Sequence, residues 1–139
     1  KAAGATCVIG SMAYDVTLDR SEIRTMMGIG PEEAARFMKE IGADVIAVNC
    51  GSGIDARWAA RAIETYRRVS NLPTMAQPNA GTPELINMQV VYRQTPEEMA
   101  SDLPGLLDAG VNIVGGCCGS TPEHIRKFRE ILDARGSHR

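Results

Sequence analysis

No apolar run in this 139-residue sequence approaches the roughly 20 residues that a membrane-crossing helix needs, so a membrane span is excluded as a reading. The N-terminus lacks the charged-then-apolar succession of an export signal, and a cytoplasmic location is the expectation. Surplus positive charge is lacking too: 15 Lys and Arg stand against 17 Asp and Glu, a formal net charge of -2 at pH 7. The cations are spread through the helical stretches, so no basic stripe is offered to a phosphate backbone and nucleic acid is not an expected partner. Histidine occurs only at His124 and His138. The first falls in the opening turn of a helix, where a surface position is expected, and the second lies in a polar tail. Methionine is missing from the first position, where Lys1 leads almost directly into a strand-like run, and the chain is expected to be a piece of a longer one.

What is present is ordinary globular composition, 44% hydrophobic and 23% charged, at a length suited to one domain. Ala5 to Met12 reads as a buried strand that meets Tyr14 and Asp15 and then a polar loop. Gly30-Pro31-Glu32-Glu33 opens a helix, with proline at the first position and two carboxylates where the helix dipole favours them. Ala34, Phe37, Met38 and Ile41 share one face of it, and Gly42 ends it. Ala43 to Cys50 is a continuous β-branched run, which suits a strand covered on both sides in a parallel sheet. Asp55 can cap a second helix carrying Trp58, Ala62, Ile63, Tyr66 and Val69 at helical spacing. The cycle then repeats. Thr74 to Gln77 is a short strand, and Thr95-Pro96 opens a helix that Pro104 should kink or break. Val111 to Gly115 is the last strand, and Pro122 opens the last helix, with Ile125, Phe128 and Leu132 on one face.

Four sequential strand-helix units make about half of an eight-stranded (β/α) barrel, whose usual length is about 250 residues. A small open parallel sheet is the alternative, but it would place a glycine-rich turn after its first strand, where Tyr14-Asp15-Val16-Thr17 stands instead. Polar residues and cysteines cluster after several different strands, as in a barrel whose site is built from strand C-terminal ends. The expected fold is therefore α/β, of the (β/α)8 TIM-barrel type, with four of its units across residues 1–139.

Of the four cysteines, Cys7 sits inside an apolar strand and reads as a plain buried thiol. The other three each follow a strand: Cys50 after Val48-Asn49, Cys117 and Cys118 after Gly115-Gly116. All three sulfurs are thus expected at one rim. Neighbouring cysteines do not suit a mutual disulfide, and the glycines at 51, 115, 116 and 119 give the backbone freedom to turn both toward one ion. Three thiolates leave one position open on a tetrahedral zinc, which suits a catalytic rather than a closed structural site. Zinc among three anionic sulfurs is a weak Lewis acid. It would still deprotonate an entering thiol and leave it nucleophilic, so attack of sulfur on an electrophilic carbon such as a methyl group is the favoured chemistry.

GGCCG followed by STPEHIR, VNCGSG and QPNAGTPEL, in this order and spacing, resembles the zinc-dependent homocysteine S-methyltransferase family, and nearly the whole chain from SMAYD and TMMG onward takes part. The likeness is to the homocysteine domain of the cobalamin-dependent methionine synthase type. The resemblance implies the last four units of the barrel, with Zn2+ held by Cys50, Cys117 and Cys118 and homocysteine adding its sulfur as fourth ligand before it is methylated to methionine. It also implies a methyl donor, which could be methylcobalamin on a separate corrinoid protein or domain, betaine or a sulfonium compound. The family's first half-barrel, which helps to hold the amino-acid end of homocysteine, has no counterpart here. A missing N-terminal half or a homodimer is then the expected complement.

Further residues at the expected rim carry two readings each. Asn49 and Asn79 either stabilise turns or hydrogen-bond to sulfur or substrate. Asp15 is a solvated loop carboxylate or a contact to the substrate amine or the donor. Met26-Met27 are read as core gap-fillers in preference to a donor-facing surface, and Ser120-Thr121 as a helix cap beside the metal. Against the enzyme stands a reading of another class, a noncatalytic zinc-binding half-barrel that needs a partner chain or self-association.

Overall fold

The computed structural model describes residues 1–136. In chain order its elements are β1 (Ile9–Met12), β2 (Asp15–Val16), β3 (Ile23–Arg24), α1 (Pro31–Glu40), β4 (Val45–Asn49), α2 (Ala56–Val69), β5 (Thr74–Gln77), β6 (Glu84–Ile86), β7 (Gln89–Val91), α3 (Pro96–Ser101), α4 (Leu103–Asp108), β8 (Ile113–Val114) and α5 (Pro122–Gly136). The helix starts are chemical. Asp55 accepts from the amides of Arg57 and Trp58, both at 3.0 Å, and Thr95 and Glu98 form a reciprocal capping box. The expected break at Pro104 is present: α3 ends at Ser101 and α4 begins at Leu103, so that proline occupies the first turn of a new helix. Among the described residues no helix is long and apolar enough to cross a membrane.

The main sheet has the order β1-β4-β5-β8, all parallel, with Ser11 opposite Ala47 and Met75 opposite both Ala47 and Ile113. Strand order thus follows chain order. Right-handed crossovers that always step the same way put their helices on the same face. Alternation along the strands assigns Gly10, Ile46, Val48 and Ala76 to that face; the last three are fully buried, and a Cβ on Gly10 would meet Met38 Sδ of α1 at 2.3 Å. Ile9, Ser11, Asn49, Met75, Gln77 and Ile113 belong to the other face, where Ile9 is 48% and Ile113 43% exposed. The core lies on the helix side, centred on Ile46, Val48, Ile63, Tyr66, Met99, Leu103 and Leu106.

Several expectations are corrected. Cys7 is exposed, because the strand begins only at Ile9 and the segment before it runs over the surface, tied down by Asp44 to Lys1 and to the Val8 amide. On α1 the buried residues are Ala34 and Ala35, while Phe37 and Ile41 are more than half exposed. This helix lies over the edge strand, where its Met38 faces Gly10, with α2 as its helical neighbour. Ile125 is likewise 44% exposed on α5, beside the opposite edge. Met26 and Met27 are 92% and 84% exposed in the turn after β3 and fill no core gap. Two hairpins, β2-β3 and β6-β7, interrupt what was expected to be plain loop.

Inside the core Tyr14 and Tyr66 share a hydroxyl-hydroxyl hydrogen bond of 2.8 Å, and Tyr66 Oη also donates to the Ala47 carbonyl at 3.3 Å. Burial pushes the Tyr14 phenol up to about 12 and raises Tyr66 further. Both phenols hold their protons more tightly folded than unfolded. Their contribution to stability is therefore complete below pH 10 and is lost as the pH rises from 10 toward 12, at up to about 1.4 kcal/mol per pH unit for each group. Urea unfolding measured between pH 9 and 11.5 should show this fall, and Tyr14→Phe should flatten it.

Candidate metal centre

The site begins where β4 ends. Cys50 has φ +52°, Gly51 +93° and Gly53 +77°, a left-handed stretch that turns the chain sharply off the sheet. At Gly51 the need for glycine is absolute, since a Cβ there would sit 1.6 Å from the Tyr14 carbonyl oxygen. Cys50 adopts the same region with a side chain, a conformation that costs about 1 kcal/mol or more and is characteristic of functional positions. After β8 the chain runs through Gly115-Gly116 to Cys117-Cys118, and Gly119 (φ +79°) leads it away.

The loop after β5 is wedged between these two cysteine-bearing loops. The Cys50 amide donates to the Gln77 carbonyl (3.2 Å), the Cys117 amide to the Pro78 carbonyl (2.9 Å), and the Ala80 amide to the Cys118 carbonyl (2.9 Å). Asn79 is almost fully buried; its amide donates to Ile54 O at 2.9 Å and its Nδ2 to Gly51 O at 2.8 Å.

These restraints gather the three sulfurs. Cys50 Sγ lies 3.5 Å from Cys118 Sγ, Cys118 Sγ lies 4.0 Å from Cys117 Sγ, and all three are within 4.8 Å of one another. Tetrahedral zinc with bonds of about 2.3 Å requires sulfurs about 3.8 Å apart, and the two pairs that include Cys118 bracket that separation. All three are free thiols and are partly exposed. The Cys118 thiol is held below its ordinary range by hydrogen bonds from Cys50 and Tyr92, whereas burial, with the Cys50 hydrogen bond next, pushes Cys117 up to about 11. The thiols stand on an open rim; a cleft of about 330 Å³ between the β2-β3 hairpin and α2, lined by Ile23, Trp58 and Arg61, lies apart from them.

Asn49 lies on the uncovered face and its Oδ1 accepts from Ser11 Oγ at 2.6 Å. Asp15 is exposed and its Oδ1 accepts from the Ser52 amide at 2.7 Å, so both Asp15 and Asn79 hold the loop that follows Cys50. Buried side-chain atoms without a partner among the described residues are Asn79 Oδ1, Gln94 Oε1 and Ser120 Oγ, all in segments bordering the cysteine loops.

His124 corrects its expected surface position: it is only 4% exposed. Its Nδ1 accepts from the Thr121 amide (3.1 Å) and lies 2.9 Å from Thr121 Oγ1, which leaves Nε2–H to donate to the Gln94 carbonyl at 3.0 Å. It stands three residues after Thr121, where a capping box would hold Glu; the spacing T-P-E-H was the signal for this role. His138 lies outside the described residues. Tyr92, which no motif singled out, packs against Gly119.

A parallel α/β fold with three convergent thiols at the C-terminal ends of its strands defines a metal-competent α/β protein. The chain belongs to the homocysteine S-methyltransferase family, whose model matches residues 4–132. It is 37% identical over 107 residues to the methionine synthases of Mycobacterium leprae (strain TN) and Mycobacterium tuberculosis (strain ATCC 25618 / H37Rv), with 73% of the chain covered in each case. It spans only 8% and 9% of the length of those two relatives. Among solved structures, the homocysteine methyltransferase MmuM from Escherichia coli in its oxidized form shares the fold, with a TM-score of 0.58 and 18% identity; the match covers 82% of this chain and 37% of that one.

Gly51→Ala should destabilise the chain by about 3 kcal/mol or more in urea unfolding, because the new methyl meets backbone rather than a movable side chain. Gly105→Ala, within α4 and with nothing near the added Cβ, should instead stabilise it by about 0.5–1 kcal/mol.

Proposed function

We propose that the chain is the zinc-binding portion of a methyltransferase that methylates homocysteine to methionine, and that it forms the C-terminal half of a (β/α)8 barrel domain. The observation that carries the metal reading is the spacing of the three sulfurs, 3.5 and 4.0 Å for the pairs that include Cys118. Family membership and the likeness to methionine synthases support homocysteine as substrate. The half-barrel reading is supported by a sheet that keeps helices to one face and leaves apolar Ile9 and Ile113 on the other.

In this reading Cys50, Cys117 and Cys118 hold Zn2+. Bound there, zinc supplies the positive charge that lets an entering thiol reside as thiolate at neutral pH. The chain's own residues do the rest. Asn79 and Asp15 fix the loop that aims Cys50, and Asn49, one residue before it on the uncovered face, is available to the polar end of the substrate. The substrate sulfur forms its bond to a methyl carbon as the donor's bond to that carbon breaks; the donor keeps the electron pair, and the thiol proton has already left to solvent. A corrinoid protein or domain is the donor that the methionine synthase relatives favour.

A second reading, a noncatalytic zinc-binding half-barrel that needs a partner chain or a second copy, draws on the same uncovered face. Zinc K-edge absorption on the reduced chain separates the two. Three sulfur neighbours and a light atom should become four sulfurs on addition of homocysteine, and Cys50→Ser or Cys118→Ser should release the metal to a chelator at least 100-fold more readily (order of magnitude). A three-sulfur shell indifferent to homocysteine would favour the noncatalytic reading. A chain that takes up no zinc would sink both.

A further inference from the structure

His124 closes a ring of hydrogen bonds around the backbone of the cysteine pair. Cys118 O accepts from the Ala80 amide at 2.9 Å, Ala80 O from the Gln94 amide at 3.3 Å, and Gln94 O from His124 Nε2 at 3.0 Å. His124 Nδ1 then accepts at 3.1 Å from the amide of Thr121, three residues after Cys118, and the ring is complete. Three separate segments are tied in this way: the loop after β5, the segment after β7 and the start of α5. Every other link is a peptide group, which any sequence would supply. The imidazole is the one link chosen by residue identity, and at 4% exposure it has no solvent to fall back on. Position 124 is the third of α5, where a capping box holds Glu or Gln. Glutamate would satisfy the Thr121 amide equally well, but it has no proton for the Gln94 carbonyl and would repel it. A helix cap alone therefore does not account for histidine here; a donor on its far side does.

We propose that His124 is a positioning residue for Cys118, its imidazole accepting from Thr121 and donating to Gln94 so that the loop carrying the cysteine pair is held closed onto Ala80. Cys118 is the sulfur that neighbours both others, at 3.5 and 4.0 Å, so a shift of its backbone opens both separations at once. That the positioned sulfur serves as a metal ligand rests on the zinc reading; that its loop is held by His124 does not. Without the bridge, Gln94 O faces a side chain that cannot pair with it. The segment after β7 is then free to draw away, and the Ala80 peptide, bonded to Gln94 on one side and to Cys118 on the other, loosens with it.

The test compares His124→Glu, which keeps the cap and lacks the donor, with His124→Gln, which has a carbonyl for the Thr121 amide and an amide for Gln94 O. Amide hydrogen exchange is followed in the reduced full chain at Ala80 and Gln94, with Ile46, whose amide donates to Pro73 O at 3.0 Å, as the control. In His124→Glu the Ala80 and Gln94 amides should exchange about 10-fold or more faster than in the parent while Ile46 is unchanged, and in His124→Gln all three should keep the parent rates. Zinc should bind about 10-fold or more weakly to the Glu variant in chelator competition, with its affinity restored in the Gln variant. Glu and Gln variants that behave alike, exchange that rises equally at Ile46, or zinc held as tightly by the Glu variant as by the parent each overturn the assignment. Local opening as expected in a chain whose parent takes up no zinc upholds the placement of the loop by His124 and overturns the metal reading alone.

Discussion

The whole site depends on one wedge of backbone. Pro78, Asn79 and Ala80 enter between the loop that carries Cys50 and the loop that carries Cys117 and Cys118; the Pro78 carbonyl and Ala80 amide pair with the latter, and the Asn79 backbone amide and side chain with the former. Buried peptide groups have to be paired. Once this segment is in place, the Cys117 amide and the Cys118 carbonyl can satisfy themselves only by closing onto it, while the Asn79 side chain draws Gly51 in from the other flank. The sulfurs thus converge because the peptide groups behind them have no better partners. The attraction of thiols for one another contributes little, being weak as hydrogen bonding. In the proposed metal reading, the thiols are gathered before an ion binds, and the conformational entropy of ordering them has been met by folding of the sheet.

The same wedge explains why glycine and strain are so concentrated here. The chain leaves β4 in a left-handed run at Cys50 and Gly51, and it passes so close to the Tyr14 carbonyl that residue 51 has no room for a Cβ. Tyr14 cannot retreat, since its hydroxyl is committed in the core to Tyr66, which is itself bonded to Ala47 at the middle of β4. One connected chain of contacts therefore runs from the interior of the sheet to the backbone beneath Cys50. Asp15, next to Tyr14, adds a second tie through the Ser52 amide.

Much of this was legible in the residues. The Pro-Glu helix starts, the Asp55 cap and the break at Pro104 follow from local chemistry that needs no tertiary partner, and strands at 45–49 and 74–77 follow from apolar runs bounded by turns. The cysteine convergence was legible because a parallel strand-helix repeat returns every strand end to one rim. What was hidden depended on tertiary neighbours. The β6-β7 hairpin turns through Asn87 and Met88 at φ +48° and +63°, and methionine carries no signal for a position where glycine is usual. His124 could be read as a surface residue because its second partner, the Gln94 carbonyl, lies thirty residues away in sequence. Phe37 and Ile41 fit a buried stripe by spacing alone, and only the place of α1 over an edge strand leaves them uncovered.

That uneven cover divides the work of the molecule. Most contacts that assemble the thiol cluster come from β4, β5, β8 and their following loops, with Tyr14, Asp15 and Val16 adding ties to the loop after Cys50. The opposite face of the same strands presents Ser11, Asn49 and Gln77 beside apolar Ile9, Met75 and Ile113, a mixture suited to the wall of a pocket. A pocket needs walls on more than one side, and burying a small amino-acid thiol requires polar partners for its charged end as well as an opening at sulfur. In the proposed reading, the chain carries the cysteines that act on sulfur, and the part that recognises the rest of the substrate is a second surface set against its uncovered face.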